Sequence, residues 1–194
     1  MKIGLLVTAR MGSTRLHDKH LKSLHGRPAL SYLLDRIEHT FKTPVLEGLA
    51  QVFIATGNVL RFSEIFDFAR FASESLFLFD SNITMLVSVP AGLFVGTDSN
   101  VYFLKGNDAL DFGINLAYRA GAIFGSSVKV SAAEIAMQST TDVVVFGISG
   151  EGICLGDGSG NVLNMTNIPV VFPVGKTGAC CVTSEKQYII SLGG

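Results

Sequence analysis

From Lys2 to Thr8 the chain reads KIGLLVT, a near-continuous apolar run that stops at a polar, glycine-containing loop. Such a run predicts a strand buried on both faces of a parallel sheet. Beyond the loop, Pro28 suits the first turn of a helix. Leu30, Leu33, Leu34, Ile37 and Phe41 then recur at offsets of three, four, seven and eleven, leaving Asp35, Arg36 and Glu38 outside. A second strand is read at Gln51 to Thr56 (QVFIAT). Strand, helix and strand in that order predict a βαβ unit. The loop from Ala9 to Lys22 then lies beyond the carboxyl ends of the strands, where ligands bind in such sheets.

The pattern changes twice more. Six phenylalanines fall between Phe62 and Phe79, and Ile65, Phe66, Ala69 and Ala72 recur at helical spacing, which predicts a Phe-rich linking helix over 59–80. From residue 81 to 194 short β-rich runs (MLVSV, GLFVG, VYFL, VVVFGI, GICLG) alternate with Gly, Asn, Asp and Ser turns. Two stretches repeat. Ala91 to Leu104 (AGLFVGTDSNVYFL) aligns with Glu151 to Met165 (EGICLGDGSGNVLNM), so that Gly92 and Gly96 meet Gly152 and Gly156 at a common offset of 60, with one extra residue in the second turn. Repeated strand, turn, strand units are a signature of stacked sheets or propeller blades, and two copies are too few to close a propeller alone. The reading is therefore α+β: a Rossmann-like βαβ fragment over 1–58, the linking helix, and a β-rich, antiparallel, blade-like region over 81–194.

Composition agrees with a folded chain. Of 194 residues 48% are hydrophobic and 16% charged, which excludes a disordered chain, and a net charge of −1 gives no global reason to expect a nucleic acid partner. Charge is unevenly spread: residues 1–58 hold eight Lys or Arg against four acids, the remainder seven against twelve. The apolar run after Lys2 is too short for a signal peptide core. The long uncharged stretches are broken by glycine and proline, so no membrane span is read. Cys154, Cys180 and Cys181 are odd in number and lack metal-ligand spacing, which suits a reducing, cytoplasmic setting.

Chemistry concentrates in Ala9 to Lys19 (ARMGSTRLHDK), where Arg10, Arg15 and Lys19 follow directly on a buried strand. Three cations so placed call for an anionic partner, and a triphosphate fits. Gly12 lets backbone approach a phosphate, Ser13 and Thr14 supply donors, and the arginines can bind bidentately. The spacing is neither a Walker A loop nor GxGxxG, and a solvated basic loop is the competing reading. Asp98 and Asp157 lie in turn sequences and read as hairpin caps. His17, His20 and His25 have no zinc-ligand spacing, and Cys180 and Cys181 read as strand residues rather than nucleophiles.

The stretch MKIGLLVTARMGSTRLHDKHLKSLHGRPALSYLLDRIEHT resembles the amino-terminal segment of the CTP:sugar-acid cytidylyltransferases of the acylneuraminate and spore-coat-polysaccharide type. The signature of that family is ARxGSxRLPxK followed by GKP or GRP before a helix. The resemblance covers residues 1–58, with His17 in place of the usual proline. It implies that Arg10, Gly12, Ser13, Arg15 and Lys19 bind the nucleotide, CTP, and that Mg2+ and a sugar acid take part. After Thr56 the family continues to an aspartate-bearing strand end that holds magnesium and to a sugar-binding half. No counterpart is read here, so the segment is expected to be incomplete as a catalyst, and no residue is assigned to catalysis. The second part more weakly resembles β-propeller blades of phage tail-type proteins. That implies an alternative function as a structural or assembly protein and a homo-oligomeric or larger assembled state.

Overall fold

The opening apolar run forms strand β1 (Ile3–Thr8), and the predicted amphipathic stretch forms helix α1 (Ala29–Leu46). The structure is a computed structural model that describes residues 3–8, 22–46, 50–63, 76–106, 111–135, 141–166, 172–174 and 177–193. The chain divides into two units, Met1–Ile83 and Thr84–Gly194.

In the first unit, a small hairpin of β2 (Ser23–Leu24) and β3 (Arg27–Pro28) leads into α1. Strands β4 (Ala50–Thr56), β5 (Val59–Ser63) and β6 (Leu76–Leu78) follow. The sheet order is β1-β4-β5-β6. β1 and β4 run parallel, with Ile3 opposite Ala50 and Thr8 opposite Ala55, so the predicted strand, helix and parallel strand are present. β5 and β6 then join antiparallel, and the sheet is mixed, whereas a doubly wound sheet continues with further parallel strands. Leu30, Leu34, Ile37 and Phe41 of α1 pack with Leu5 on Val7 and Ile54. Leu33 departs from the predicted stripe and is 44% exposed. At the helical twist it falls roughly 70° from the centre of the other four, beyond the reach of a narrow apolar face.

The linking helix over 59–80 is corrected at both ends, where β5 and β6 are strands that pair with each other. Ile65, Phe66, Ala69 and Ala72, which carried its spacing, lie outside the described residues. The physical reason for the correction is that Val59 to Ser63 continues out of a two-residue turn, Gly57–Asn58, in register with β4. Gly57 has a φ of 57°, a left-handed conformation suited to a tight hairpin.

The second unit is strands almost throughout. β7 (Ile83–Val89), β8 (Gly92–Thr97), β9 (Val101–Lys105) and β10 (Gly113–Tyr118) form one four-stranded antiparallel meander. β11 (Val128–Ser131), β12 (Asp142–Ile148), β13 (Gly152–Gly156) and β14 (Val162–Asn164) form a second. A two-stranded sheet of β15 (Thr177–Val182) and β16 (Tyr188–Gly193) follows. The described strands form no closed ring of sheets.

Period-two alternation stacks these sheets in layers. Val144, Phe146 and Ile148 of β12 meet Met85, Val87, Val89, Phe94, Val101 and Phe103 of the first meander. Val143 and Val145, on the opposite face of β12, pack with Val130 and Leu155 and against Val182 and Tyr188 of the last sheet. Phe94, Phe103 and Phe146 anchor the first interface, with ring centroids 4.9 Å apart for Phe94 and Phe103 and 6.5 Å for Phe94 and Phe146.

The repeated glycines acquire a physical cause. A Cβ at Gly96 would lie 2.5 Å from that of Ala122, and one at Gly156 would lie 2.7 Å from the Phe94 ring. Both copies therefore keep glycine where a neighbouring side chain leaves no room for a Cβ. The β4–β5 hairpin is a third relative of these two. Its sequence Phe53 to Val59 (FIATGNV) parallels Phe94 to Val101 (FVGTDSNV), and the last strand pairs close as Thr56 opposite Val59 and Gly96 opposite Val101.

Candidate functional site

The nucleotide-loop residues Arg10, Gly12, Ser13, Arg15 and Lys19 lie outside the described residues, as do His17 and His20. The frame on either side of the loop is described. Because β1 and β4 are parallel and in register, Thr8, where the loop departs, lies beside Ala55 and the Gly57–Asn58 turn at one edge of the sheet. That edge is the carboxyl end of both strands, the position in which an open sheet with helical crossovers presents its ligand site.

The chain returns through the β2–β3 hairpin, whose turn is His25–Gly26, with φ values of 50° and 83°. Positive φ at both central residues gives the right-handed twist a two-residue hairpin needs. The hairpin is fastened to α1 in four ways. The Ala29 N–H donates to the Lys22 carbonyl at 3.0 Å, and Tyr32 Oη donates to the Leu24 carbonyl at 2.8 Å. Ser31 Oγ donates to the Pro28 carbonyl at 2.7 Å, and the Arg27 guanidinium pairs with Asp35 at 2.8 Å while lying 5.3 Å from the Tyr32 ring centroid. Arg27 is thus the arginine of the GRP motif, half exposed and fixed in direction by a carboxylate and a ring. Sequence reasoning quoted the motif without assigning this residue a task, and Tyr32 and Asp35, one helical turn apart in α1 just after the motif, were the signal that could have found it.

Among the described residues, the acids and histidine that could serve as metal ligands, His25, Asp98, Asp111 and Asp157, are not grouped. Asp157 is used up by its own turn: its carboxylate accepts from the Ser159 N–H at 2.8 Å, the Asn161 N–H at 2.9 Å and Asn161 Nδ2 at 2.8 Å. Burial pushes this carboxyl up, but the hydrogen bonds from Asn161, Ser159 and Gly160 outweigh it and hold the group below its ordinary value. In the first copy of the hairpin Thr97 takes the same place, its Oγ1 accepting from the Asn100 N–H at 3.0 Å and the Ser99 N–H at 3.3 Å. Hairpin capping was the reading given to Asp157, and its contacts are of that kind. At the first hairpin Thr97 is a cap of this kind. Among the described residues no three His, Cys, Asp or Glu side chains are grouped to hold a metal ion. The described side chains therefore offer no fit for Mg2+, and Asp108 lies outside them.

All three cysteines are free thiols. Burial, with the nearby Glu151 charge, pushes Cys154 up to about 12, and burial also raises Cys180, so neither is an activated nucleophile. One polar cluster escaped sequence reasoning. Tyr118 Oη donates to the Glu151 carboxylate, and Asn164 Nδ2 reaches the same carboxylate at 3.4 Å. The hydrogen bond to Glu151, then burial, raises the Tyr118 hydroxyl to about 12. Its members come from β10, the β12–β13 turn and β14, and no local spacing links them.

No helix among the described residues is long and apolar enough to cross a membrane. No curated protein and no solved structure matches the chain. The family comparison runs further than the resemblance read from the motif, which stopped at residue 58, and ends at the boundary between the two units. Residues 5–83, nearly the whole of the first unit, match the Cytidylyltransferase family.

Proposed function

We propose that the first unit binds a nucleoside triphosphate, CTP, through the loop Ala9 to Lys22, and that it derives from nucleotidyl transfer to a sugar acid. The observation that carries this reading is the parallel pairing of β1 with β4 across α1, which sets the start of a tri-cationic loop at a carboxyl sheet edge. Arg10, Arg15 and Lys19 would neutralise the phosphates, Gly12 would admit them to the backbone, and Ser13 would donate to them. Arg27, which follows the loop in the chain and is held by Asp35, would add a fourth cation. In a complete enzyme of this class a divalent ion stabilises charge at the α-phosphorus, a contribution worth several kcal/mol. No counterpart of the family's aspartate-bearing strand end is read in the sequence after Thr56, and on that reading the chain binds better than it turns over.

Thermal unfolding with CTP and Mg2+, set against ATP and buffer, tests the binding. A ligand at 100 times its dissociation constant stabilises by about 2.7 kcal/mol, and Arg15→Ala should remove about 1.5 to 3 kcal/mol of CTP binding. No shift with CTP at millimolar concentration, or equal shifts with and without Arg15, refutes the assignment. A second reading, a structural or assembly protein of propeller-like blades, is favoured by the two stacked four-stranded meanders of the second unit. Full CTP binding by residues 1–83 together with self-assembly by the whole chain would show both readings to be compatible.

A further inference from the structure

Strand direction decides which ends share an edge of the first unit's sheet. β4 runs parallel to β1, β5 antiparallel to β4, and β6 antiparallel to β5, so β6 points the same way as β1 and β4. Its carboxyl end, Leu78, therefore lies at the edge where the chain leaves Thr8 for Arg10, Arg15 and Lys19. Phe79, Asp80, Ser81 and Asn82 follow. Phe79 is buried, whereas Asp80 and Asn82 are exposed. The sequence reading of a helix over 59–80 conceals this strand end.

The segment 79–83 is fastened to the carboxyl end of β4. Phe79 N–H donates to the Asn58 carbonyl at 2.9 Å, and Asn58 Nδ2 donates back to the Phe79 carbonyl at 3.1 Å. Ile83 N–H donates to the Gly57 carbonyl at 2.7 Å. Asp80 is thus carried on a braced strand end rather than on a free loop.

The edge is polarised. At its β1 end the chain supplies three cations, and at its β6 end a carboxylate and an amide. Three strand spacings, roughly 14 Å, separate the two. Phosphates are attracted to the first end and repelled by the second. A nucleoside triphosphate laid along the edge covers a comparable span and carries the complementary groups, anionic oxygens at one end and sugar hydroxyl donors at the other. Carboxylates at strand ends accept from ribose hydroxyls in dinucleotide-binding sheets. We propose that Asp80 binds the ribose hydroxyls of the nucleotide, with the sugar at the β6 end of the edge and the phosphates at the β1 end. The proposal rests on the reading of the first unit as a nucleoside triphosphate site. A carboxylate has about four acceptor positions, so Asp80 serves a sugar diol while keeping contacts within the protein. A ligand without the 2′-hydroxyl leaves part of that carboxylate covered and unpaired, so the site favours ribonucleotides.

Calorimetric titration of the full chain with CTP, 2′-deoxy-CTP and inorganic tripolyphosphate, each with and without Mg2+, tests this. The parent should prefer CTP to 2′-deoxy-CTP by about tenfold, the effect of one hydrogen bond to a charged group. Asp80→Asn should abolish that preference and leave tripolyphosphate binding equal or tighter, since it removes a negative charge. No preference in the parent, or an unchanged preference in D80N, overturns the proposal, while Arg15-dependent CTP binding keeps the phosphate reading intact. Loss of CTP and tripolyphosphate binding alike, and only with Mg2+ present, also overturns it, because Asp80 then acts on phosphate through the metal. Absence of CTP binding, or binding indifferent to Arg15, removes both readings. Amide exchange on the unmodified chain decides the matter even if D80N disturbs the strand end: CTP should protect 79–83 and tripolyphosphate should not, and equal protection by both places the sugar elsewhere.

Discussion

The two units bury their apolar residues in different ways. In the first, one helix covers one sheet face, and the cluster beneath it centres on Val7 and Ile54 with partly buried leucines around them. In the second, sheets cover sheets, both faces of β12 are buried, and Phe94, Phe146 and Ile148 are wholly enclosed. β4 of the first unit is likewise closed on both sides, with Ile54 under the helix and Phe53 and Ala55 buried on the other face. The contrast therefore lies in what covers the strands, a helix in one unit and neighbouring sheets in the other, and only a parallel pair joined through a helix brings two adjacent carboxyl strand ends to the same edge.

The largest expected effect strikes the dense layer. Phe146→Ala should destabilise the second unit by about 3 to 5 kcal/mol, because the cavity opens between two sheets that cannot close on it. Denaturant unfolding followed by probes in each unit checks it, and equal loss in both would erase the contrast. Ile54→Ala should cost the first unit about 2 to 3 kcal/mol, the lower end of its class, because the roofing helix can settle.

The turns offer a finer test. Asp157→Ala should cost about 1 kcal/mol through lost turn hydrogen bonds, whereas Asp157→Thr should recover part of it, since Thr97 performs the same task in the other hairpin. The Asp157 carboxyl is held below its ordinary value of 3.8, so its contribution is fully present above that pH and is lost as pH falls through the lower folded value. Acid titration of stability should therefore flatten in D157T relative to the parent. The smallest effect belongs to Asp35→Ala, at most about 0.5 kcal/mol of stability, since the ion pair with Arg27 is half exposed. CTP binding in D35A should shift more than stability does if Arg27 serves the nucleotide.

What the sequence discloses depends on how local the cause is. β1, α1 and β4 follow from runs and spacings within a few residues, and the paired hairpins follow from turn residues next to β-rich strands. Leu33 was misplaced because helical offsets of three and four are read as equal, although only some lie under the roof. β5 and β6 were hidden by phenylalanines whose spacing suits a helix, since a short apolar segment fits either element until its partner strand is known. The loop cations are read from their motif alone, and they lie outside the described residues. Tyr118, Glu151 and Asn164 were illegible, because their meeting depends on how two sheets stack.

Strand β4 has two allegiances: it is the parallel partner of β1, and it opens a hairpin of the same pattern as those in the second unit. No clean seam exists at Asn58, where a boundary drawn from the nucleotide motif would fall. Cutting there would take β5 away from β4 and leave that strand's edge bare, so a designer wishing to transplant the loop onto another scaffold must carry the chain through to residue 83.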